Sequence, residues 1–247
     1  MLHPRLLPIL LFGLLGLRVS AAWGAAVSVS PVLVHLSATQ RSEVIEFTNA
    51  GQTPARFQAE VHAWHESAAG ELTLSPTKDL LFFPSLFEIP PGETRRIRVA
   101  STVAPGPVER SYRLVLTEFP GGGIPGTVQV LSRLSIPVFV QPKDPKPVPS
   151  VQAEVRGGQL VIRIANAGNS YLKAQVVRVV ARSQGGSVLF EHSFPGWYLL
   201  AKGERRYSAD VPAQVCSKIA TLHATLRSEQ GETSATSAIS PGAGCGS

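Results

Sequence analysis

Helical signatures are scarce in this sequence. Methionine occurs only as the first residue, and beyond the N-terminus no stretch carries apolar residues at a sustained helical spacing, which argues against long helices. Lys and Arg outnumber Asp and Glu, for a net charge of +6, yet no basic block stands out. Nucleic-acid binding needs a concentrated positive footprint, so that class of partner is set aside. Catalytic signatures are missing as well. There is no Gly-x-Ser-x-Gly elbow of the kind that presents a nucleophilic serine. His62 and His65 are three residues apart on an expected strand, so they point to opposite faces and do not share a metal. Gly121, Gly122 and Gly123 lie between expected strands and open no helix, which makes them a poor phosphate cradle. The expectation is no enzyme, no metal and no cofactor.

What is present is turn residues and valine. Gly occurs 22 times and Pro 20 times, a composition of strands and turns in a chain long enough for two domains. The first 26 residues have the layout of a secretory signal: Arg5, an apolar run from Leu6 to Leu17, then small residues at Ser20-Ala21-Ala22 or Gly24-Ala25-Ala26 where cleavage is expected. That run falls short of the roughly 20 residues a membrane span needs, and no later segment is apolar enough to cross. The mature chain is expected to be exported and soluble, without membrane insertion, and loss of Arg5 and Arg18 brings its net charge to about +4. In an exported chain, Cys216 and Cys245 are expected to form a bridge, which stabilises by roughly 3–4 kcal/mol on the chain-entropy account.

Alternation of apolar and polar residues marks a series of short strands. Val27 to Leu36 alternates and breaks at Pro31, as a strand with a kink or a switch does. Ser42 to Asn49 follows, closed by the turn residues Asn49-Ala50-Gly51. On Arg56 to His65, Phe57, Ala59, Val61 and Ala63 share one face, while Gln58, Glu60, His62 and Trp64 share the other; Trp64 reads as an aromatic of the sandwich core or rim. Leu86–Ile89, Thr94–Ala100 and Ser111–Phe119 continue the series. About seven short strands at regular spacing indicate an all-β immunoglobulin-like sandwich, with a barrel as the competing architecture. Residues 27–141 are assigned to this domain. The proline-rich, charged stretch 142–149 has the composition of a linker. Residues 150–247 alternate in the same style, and Asn166-Ala167-Gly168 echoes Asn49-Ala50-Gly51, so a second β-sandwich is expected there.

The stretch Thr127 to Pro142 differs from the others. Val128, Val130, Leu134, Ile136, Val138 and Val140 are apolar at alternate positions, with Ser132 the exception. As one strand to Val140 it runs about 46 Å at roughly 3.3 Å per residue, longer than a compact domain of its size is wide. Pro137 has no N–H for a ladder and belongs on an edge. A long apolar edge is ordinarily blunted against aggregation; here it reads as a strand to be lent.

Taken in order, Thr48-Asn49, Trp64, Pro90-Pro91-Gly92 with Arg95 to Val99, Tyr112 to Pro120, and Ser135 to Pro142 resemble the periplasmic chaperones of the chaperone–usher pathway, PapD-like proteins that assist pilus and fimbrial subunits. The resemblance covers nearly all of the first domain. It implies two immunoglobulin-like domains arranged as a boomerang, a periplasmic location, and donor-strand complementation: the last strand of the first domain completes a subunit that lacks one, and the subunit passes to an outer-membrane usher. On that basis Val128, Val130, Ser132, Leu134 and Ile136 are the expected subunit-binding positions, with the Val138 end serving the domain's own core. Better-known members anchor the subunit's terminal carboxylate with basic residues at places that fall near Leu33 and Pro137. Neither is basic, a departure that resembles the divergent, archaic-type branch. Arg113 and Arg133 are the candidate substitutes. Arg98 and Glu118 match an Arg and a Glu that form an internal ion pair in relatives, and Gln141 replaces the family's Arg before the linker proline.

Three other readings stand beside this one: a secreted two-domain immunoglobulin-like adhesin or receptor binding through its loops, a pilus subunit, and a hydrolase with a dispersed site.

Overall fold

The computed structural model describes residues 27–67, 69–120, 130–240 and 242–245. The expected signal segment and Val128 lie outside the described residues. The first half of the chain forms strands β1 (Val27–Ser30), β2 (Val34–Leu36), β3 (Ser42–Asn49), β4 (Ala55–Glu66), β5 (Leu72–Pro76), β6 (Leu80–Phe83), β7 (Leu86–Ile89), β8 (Thr94–Ser101), β9 (Arg110–Phe119) and β10 (Arg133–Val140). One sheet runs β1-β3-β8-β6. The facing sheet runs β2-β10-β9-β4-β5, and β7 also pairs with β4. The break at Pro31 is a change of sheet: β1 lies antiparallel to β3, whereas β2 lies parallel to β10.

The side-chain period of two decides which residues meet between the sheets. Ile45 and Phe47 of β3, with Ile97 and Val99 of β8, pack against Phe57 and Ala59 of β4, Leu114 and Leu116 of β9, and Val138 and Val140 of β10. Burial of each such side chain favours folding by about 1.5–3 kcal/mol.

The second half contains β11 (Pro149–Arg156), β12 (Gln159–Asn166), β13 (Leu172–Arg182), β14 (Val188–Pro195), β15 (Tyr198–Leu199), β16 (Glu204–Asp210), a single helical turn α1 (Ala213–Cys216), β17 (Thr221–Ser228) and β18 (Gly231–Ala238). Sheet β11-β12-β16 faces sheet β14-β13-β17-β18, with β15 on β13, around Leu160, Ile162, Val177, Val179, Leu222 and Leu226. Both halves are immunoglobulin-like β-sandwiches. Cys216 is joined to Cys245. The tail that this bond holds also accepts the Gly158 N–H at the Gly244 carbonyl, at 2.7 Å.

The echo between Asn49 and Asn166 is a repeated structural device. Each ends the second strand of its own sheet order and is fully buried. Asn49 donates to the carbonyls of Thr53 (2.7 Å) and Ile89 (2.9 Å) and accepts the Gly51 N–H (2.9 Å). Asn166 donates to the carbonyl of Ser170 (2.8 Å), reaches those of Leu199 and Leu200, and accepts the Gly168 N–H (3.0 Å). The partners at i+2 and i+4 are the same in both halves. Asn166 Oδ1 also takes the Val148 N–H at 3.0 Å, and Asn169 Oδ1 takes the Lys146 N–H at 2.7 Å. The connecting segment is therefore fastened to the turn after β12. Gly168 is required there, because a Cβ at that position would lie 2.2 Å from the Lys146 carbonyl oxygen.

Removing either asparagine side chain leaves buried backbone groups without partners. Asn49→Ala or Asn166→Ala is expected to lower unfolding free energy by about 2–3 kcal/mol each, measured by urea denaturation against the wild-type chain.

Candidate functional site

β10 pairs with β9 along all eight of its residues, but with β2 only at Val138, Phe139 and Val140. Peptide groups alternate in direction along a strand. The Glu118 N–H donates to the Ser132 carbonyl at 3.0 Å on one side, and the Gln141 N–H to the Leu36 carbonyl at 2.8 Å on the other. Even-numbered peptide groups therefore face β9, and odd-numbered ones face away from it. At Arg133 and Ser135 those outward groups have no strand beside them among the described residues. Pro137, the next outward position, has no N–H to leave unmet. The edge is open from Arg133 to Pro137 and closed beyond.

The strand is shorter than the sequence pattern indicates. Residues 130–132 are not strand, so the expected run from Thr127 is not continuous with β10. The register of β9 explains why: Arg133 sits opposite Thr117, and Leu131 and Val130 would sit opposite Phe119 and Pro120, where β9 ends. Glu118 fixes the boundary, its carboxylate accepting the Ser132 N–H at 2.8 Å. Val130 and Leu131 are exposed, at 69% and 46%. Ser132 and Leu134 are half-buried, whereas Ile136 lies with Val138 and Val140 in the core of the first sandwich. The Ile136 side chain thus belongs to this protein's own core.

The anticipated pair of Arg98 and Glu118 is not formed. Arg98 is on β8, in the other sheet, exposed and bonded to Ser42 Oγ at 3.2 Å. Glu118 is on β9 of the facing sheet, buried, and holds the Ser132 N–H. Trp64 is also displaced from the expectation. It lies on the outer face of its sheet, in a cluster with Phe139, Tyr171, Tyr198 and Leu200 that joins the two sandwiches. Phe139 and Tyr171 stack with centroids 4.0 Å apart, and Trp64 meets Tyr198 edge-on at 5.5 Å. Such contacts contribute about 0.5–1.5 kcal/mol per pair beyond area burial.

Arg113 is drawn into this cluster, its guanidinium 3.7 Å from the Trp64 ring centroid and 5.5 Å from that of Tyr198. Burial pulls its pKa below the ordinary arginine value. Its Nη1 reaches the Ser135 carbonyl at 3.5 Å, on the open edge, and Nε and Nη2 have no partner among the described residues. Arg133 is exposed at the start of the same edge. Leu33 packs against the aromatic cluster and Pro137 is buried.

Two acidic residues that no sequence pattern marked also join the sandwiches. The Glu66 carboxylate pairs with Arg205. Glu109 accepts the Tyr171 N–H at 2.9 Å, while its own N–H donates to the Asn169 carbonyl at 2.9 Å. Burial raises the Glu109 carboxyl to about 7, against the opposing hydrogen bonds from Tyr171 and Gln141.

Residues 26–146 match the family described as "Pili and flagellar-assembly chaperone, PapD N-terminal domain", so the first sandwich is a domain of that family. No curated protein matches it. Among solved structures it is similar to the CsuC–CsuE chaperone–tip adhesion subunit pre-assembly complex from archaic chaperone–usher Csu pili of Acinetobacter baumannii, with TM-score 0.62, 18% identity, and coverage of 86% of this chain and 98% of that one. It is similar to the Salmonella enterica SafA pilin–SafB chaperone complex, with TM-score 0.54, 16% identity, and coverage of 87% and 97%. A third likeness is to the Pseudomonas aeruginosa CupB2 chaperone, with TM-score 0.52, 16% identity, and coverage of 86% and 100%. At these identities the structural likeness speaks for the fold.

Glu109 makes the junction sensitive to pH. An acid whose folded pKa is raised favours the folded state below its ordinary value near 4.5, and loses that contribution as pH climbs through about 7. Unfolding free energy of the wild type relative to Glu109→Gln is expected to fall between pH 5 and pH 7.5 and then level off, as read by urea titrations at stepped pH.

Proposed function

We propose that this chain is a periplasmic chaperone that captures pilus or fimbrial subunits by donor-strand complementation along β10, and hands them to an outer-membrane usher. The observation that carries this reading is the open edge from Arg133 to Pro137, flanked by the exposed Val130 and Leu131. A subunit strand laid on that edge gains the outward peptide groups of Arg133 and Ser135, while apolar side chains upstream leave water at about 1.5–3 kcal/mol each. Val128, Val130, Ser132 and Leu134 supply that face, and Ile136 supports it from behind. No nucleotide is required, since a subunit's own collapse onto the strand supplies the free energy.

In this reading the domains are residues 27–141 and 150–247 with 142–149 between them. Arg133, exposed at the entry to the edge, is the cation that meets the subunit. Arg113, held under Trp64, keeps the sandwiches together and presents Nη1 at the Ser135 carbonyl. Among the described residues, no helix is long and apolar enough to cross a membrane.

The test is co-expression with a fibre subunit from a neighbouring gene, measuring how much subunit survives proteolysis and co-purifies. Ser135→Pro removes one outward N–H and leaves the β9 ladder intact. It is expected to reduce subunit recovery at least tenfold while changing chaperone stability by about 0.5 kcal/mol or less, and Val130→Asp and Leu134→Asp are expected to behave alike. Phe83→Ser, an exposed change on β6, is expected to leave recovery unchanged. Recovery unaffected by Ser135→Pro and Val130→Asp would favour a loop-binding adhesin instead.

A further inference from the structure

The ladder between β9 and β10 ends on two residues that break an apolar pattern. Side chains directly opposite each other in an antiparallel pair share a face. On the inward face Val138 stands opposite Tyr112, Ile136 opposite Leu114, and Leu134 opposite Leu116. One step further along the same register, Ser132 stands opposite Glu118. Ser132 is the one polar residue at the even positions from Val130 to Val140, and Glu118 follows Tyr112, Leu114 and Leu116 on β9. Glu118 is only 8% exposed, and a carboxylate so placed needs hydrogen bonds.

Residues opposed in this phase of an antiparallel ladder exchange two main-chain bonds. Here one is made and the other is diverted. The Glu118 N–H reaches the Ser132 carbonyl at 3.0 Å, as the ladder requires. The Ser132 N–H turns instead to Glu118 Oε2, at 2.8 Å. The Glu118 side chain thus takes the donor that its own main-chain carbonyl would receive, and β10 begins at Arg133 rather than at Val130. Hydrogen bonds weaken steeply away from a straight line, so one N–H does not serve both acceptors well. The capped end and the longer strand therefore exclude each other, and the capped end leaves Val130 and Leu131 exposed.

We propose that Glu118 is a displaceable cap, which holds β10 short in the free chain and yields Ser132 when a partner strand is laid on the open edge. The proposal rests on the reading of β10 as a lent strand. A partner paired with the outward groups of Arg133 and Ser135 holds the main chain extended through Ser132. The Ser132 N–H then lies in the plane of the sheet and points at the Glu118 carbonyl. Ser132 Oγ, on the same face as the carboxylate, donates to it in exchange, which accounts for a serine among valines and leucines. The Leu131 N–H is brought into line with those of Arg133 and Ser135, one more outward group for the partner. In the free chain the cap keeps the unpaired edge short, which discourages pairing between copies.

Long-range HNCO spectra of the mature chain read the acceptor directly, from the carbon to which the Ser132 amide nitrogen couples through its hydrogen bond. In the free wild type this is expected to be Glu118 Cδ, and in a complex co-purified with a fibre subunit from a neighbouring gene, the Glu118 carbonyl carbon. Glu118→Leu has no side-chain acceptor and is expected to show the carbonyl coupling already when free, with strand-like Cα shifts at Leu131 and Ser132. Glu118→Gln keeps an acceptor and is expected to resemble the wild type. Ser132→Ala is expected to lower subunit recovery about tenfold, in keeping with loss of one hydrogen bond to a charged group, and Ser132→Thr to restore it. The proposal fails if the complex still couples Ser132 to Glu118 Cδ, or if free Glu118→Leu keeps residues 131 and 132 out of the strand. Failure of every chain to protect a subunit would overturn the lent-strand reading, and the displacement with it, by a result separate from the couplings. Should Glu118→Leu not fold, the coupling in the wild-type complex decides the matter.

Discussion

The structure depends on a strand that is covered on one side for its whole length and on the other for only three residues. β2 is short because Pro31 takes the chain out of one sheet and into the other just before it, so its pairing with β10 begins only at Val138. Upstream of that point the outward peptide groups of β10 have no strand beside them among the described residues. Pro137 stands at the boundary, where the absence of an N–H is harmless to β9 and gives no anchor to a neighbour. An edge of this kind is a liability in most proteins. Here the core behind it is complete: Ile136, Val138 and Val140 are packed with β3, β4, β8 and β9, and the sandwich does not need another strand to be stable.

The same sheet serves two purposes on its two faces. Its inner face makes the core of the first sandwich. Its outer face carries Trp64, Arg113 and Phe139, which receive Tyr171, Tyr198 and Leu200 from the second. Arg113 illustrates the cost of the arrangement: a guanidinium taken out of water for contacts with two aromatic rings and one weak carbonyl contact, its other nitrogens unpaired. Cation–π attraction of about 2 kcal/mol in desolvated settings offsets part of that.

Much of the fold was legible in the residues, because alternation is a direct consequence of strand geometry. β3, β4, β8 and β9 were readable to within a residue or two, and the break at Pro31 was readable as a change of course. The failures have physical causes. β18, with the sequence GETSATSA, lies at a sheet edge and presents little apolar surface, so it has no oily face to recognise. β11 begins in what composition marks as linker. The run from Thr127 overshot because alternation reports what a segment can do, while pairing depends on where β9 stops. The site was legible in part. The open edge followed from Pro137 and the valines, but the Arg98–Glu118 pair rested on resemblance alone, and the two residues are in opposite sheets. Trp64 shared a face with Gln58, Glu60 and His62, a sign that it looked away from the core. Glu66 and Glu109 left no trace, since an isolated acid acquires meaning only from what folds against it.

The connector between the sandwiches has a thermodynamic consequence of its own. Asn169 holds Asp144 and Lys146, Asn166 holds Val148, and the Ala167 and Asn169 N–H groups return to the Val148 and Lys146 carbonyls. Proline-rich and bolted along its length, this segment behaves as a bracket rather than a tether. A visitor that touches both halves at once therefore finds them already aligned, and no freedom of swivel has to be surrendered at the encounter. Association should accordingly show little of the heat-capacity signature that accompanies ordering of a loose host, and its strength should follow the quality of the contacts alone.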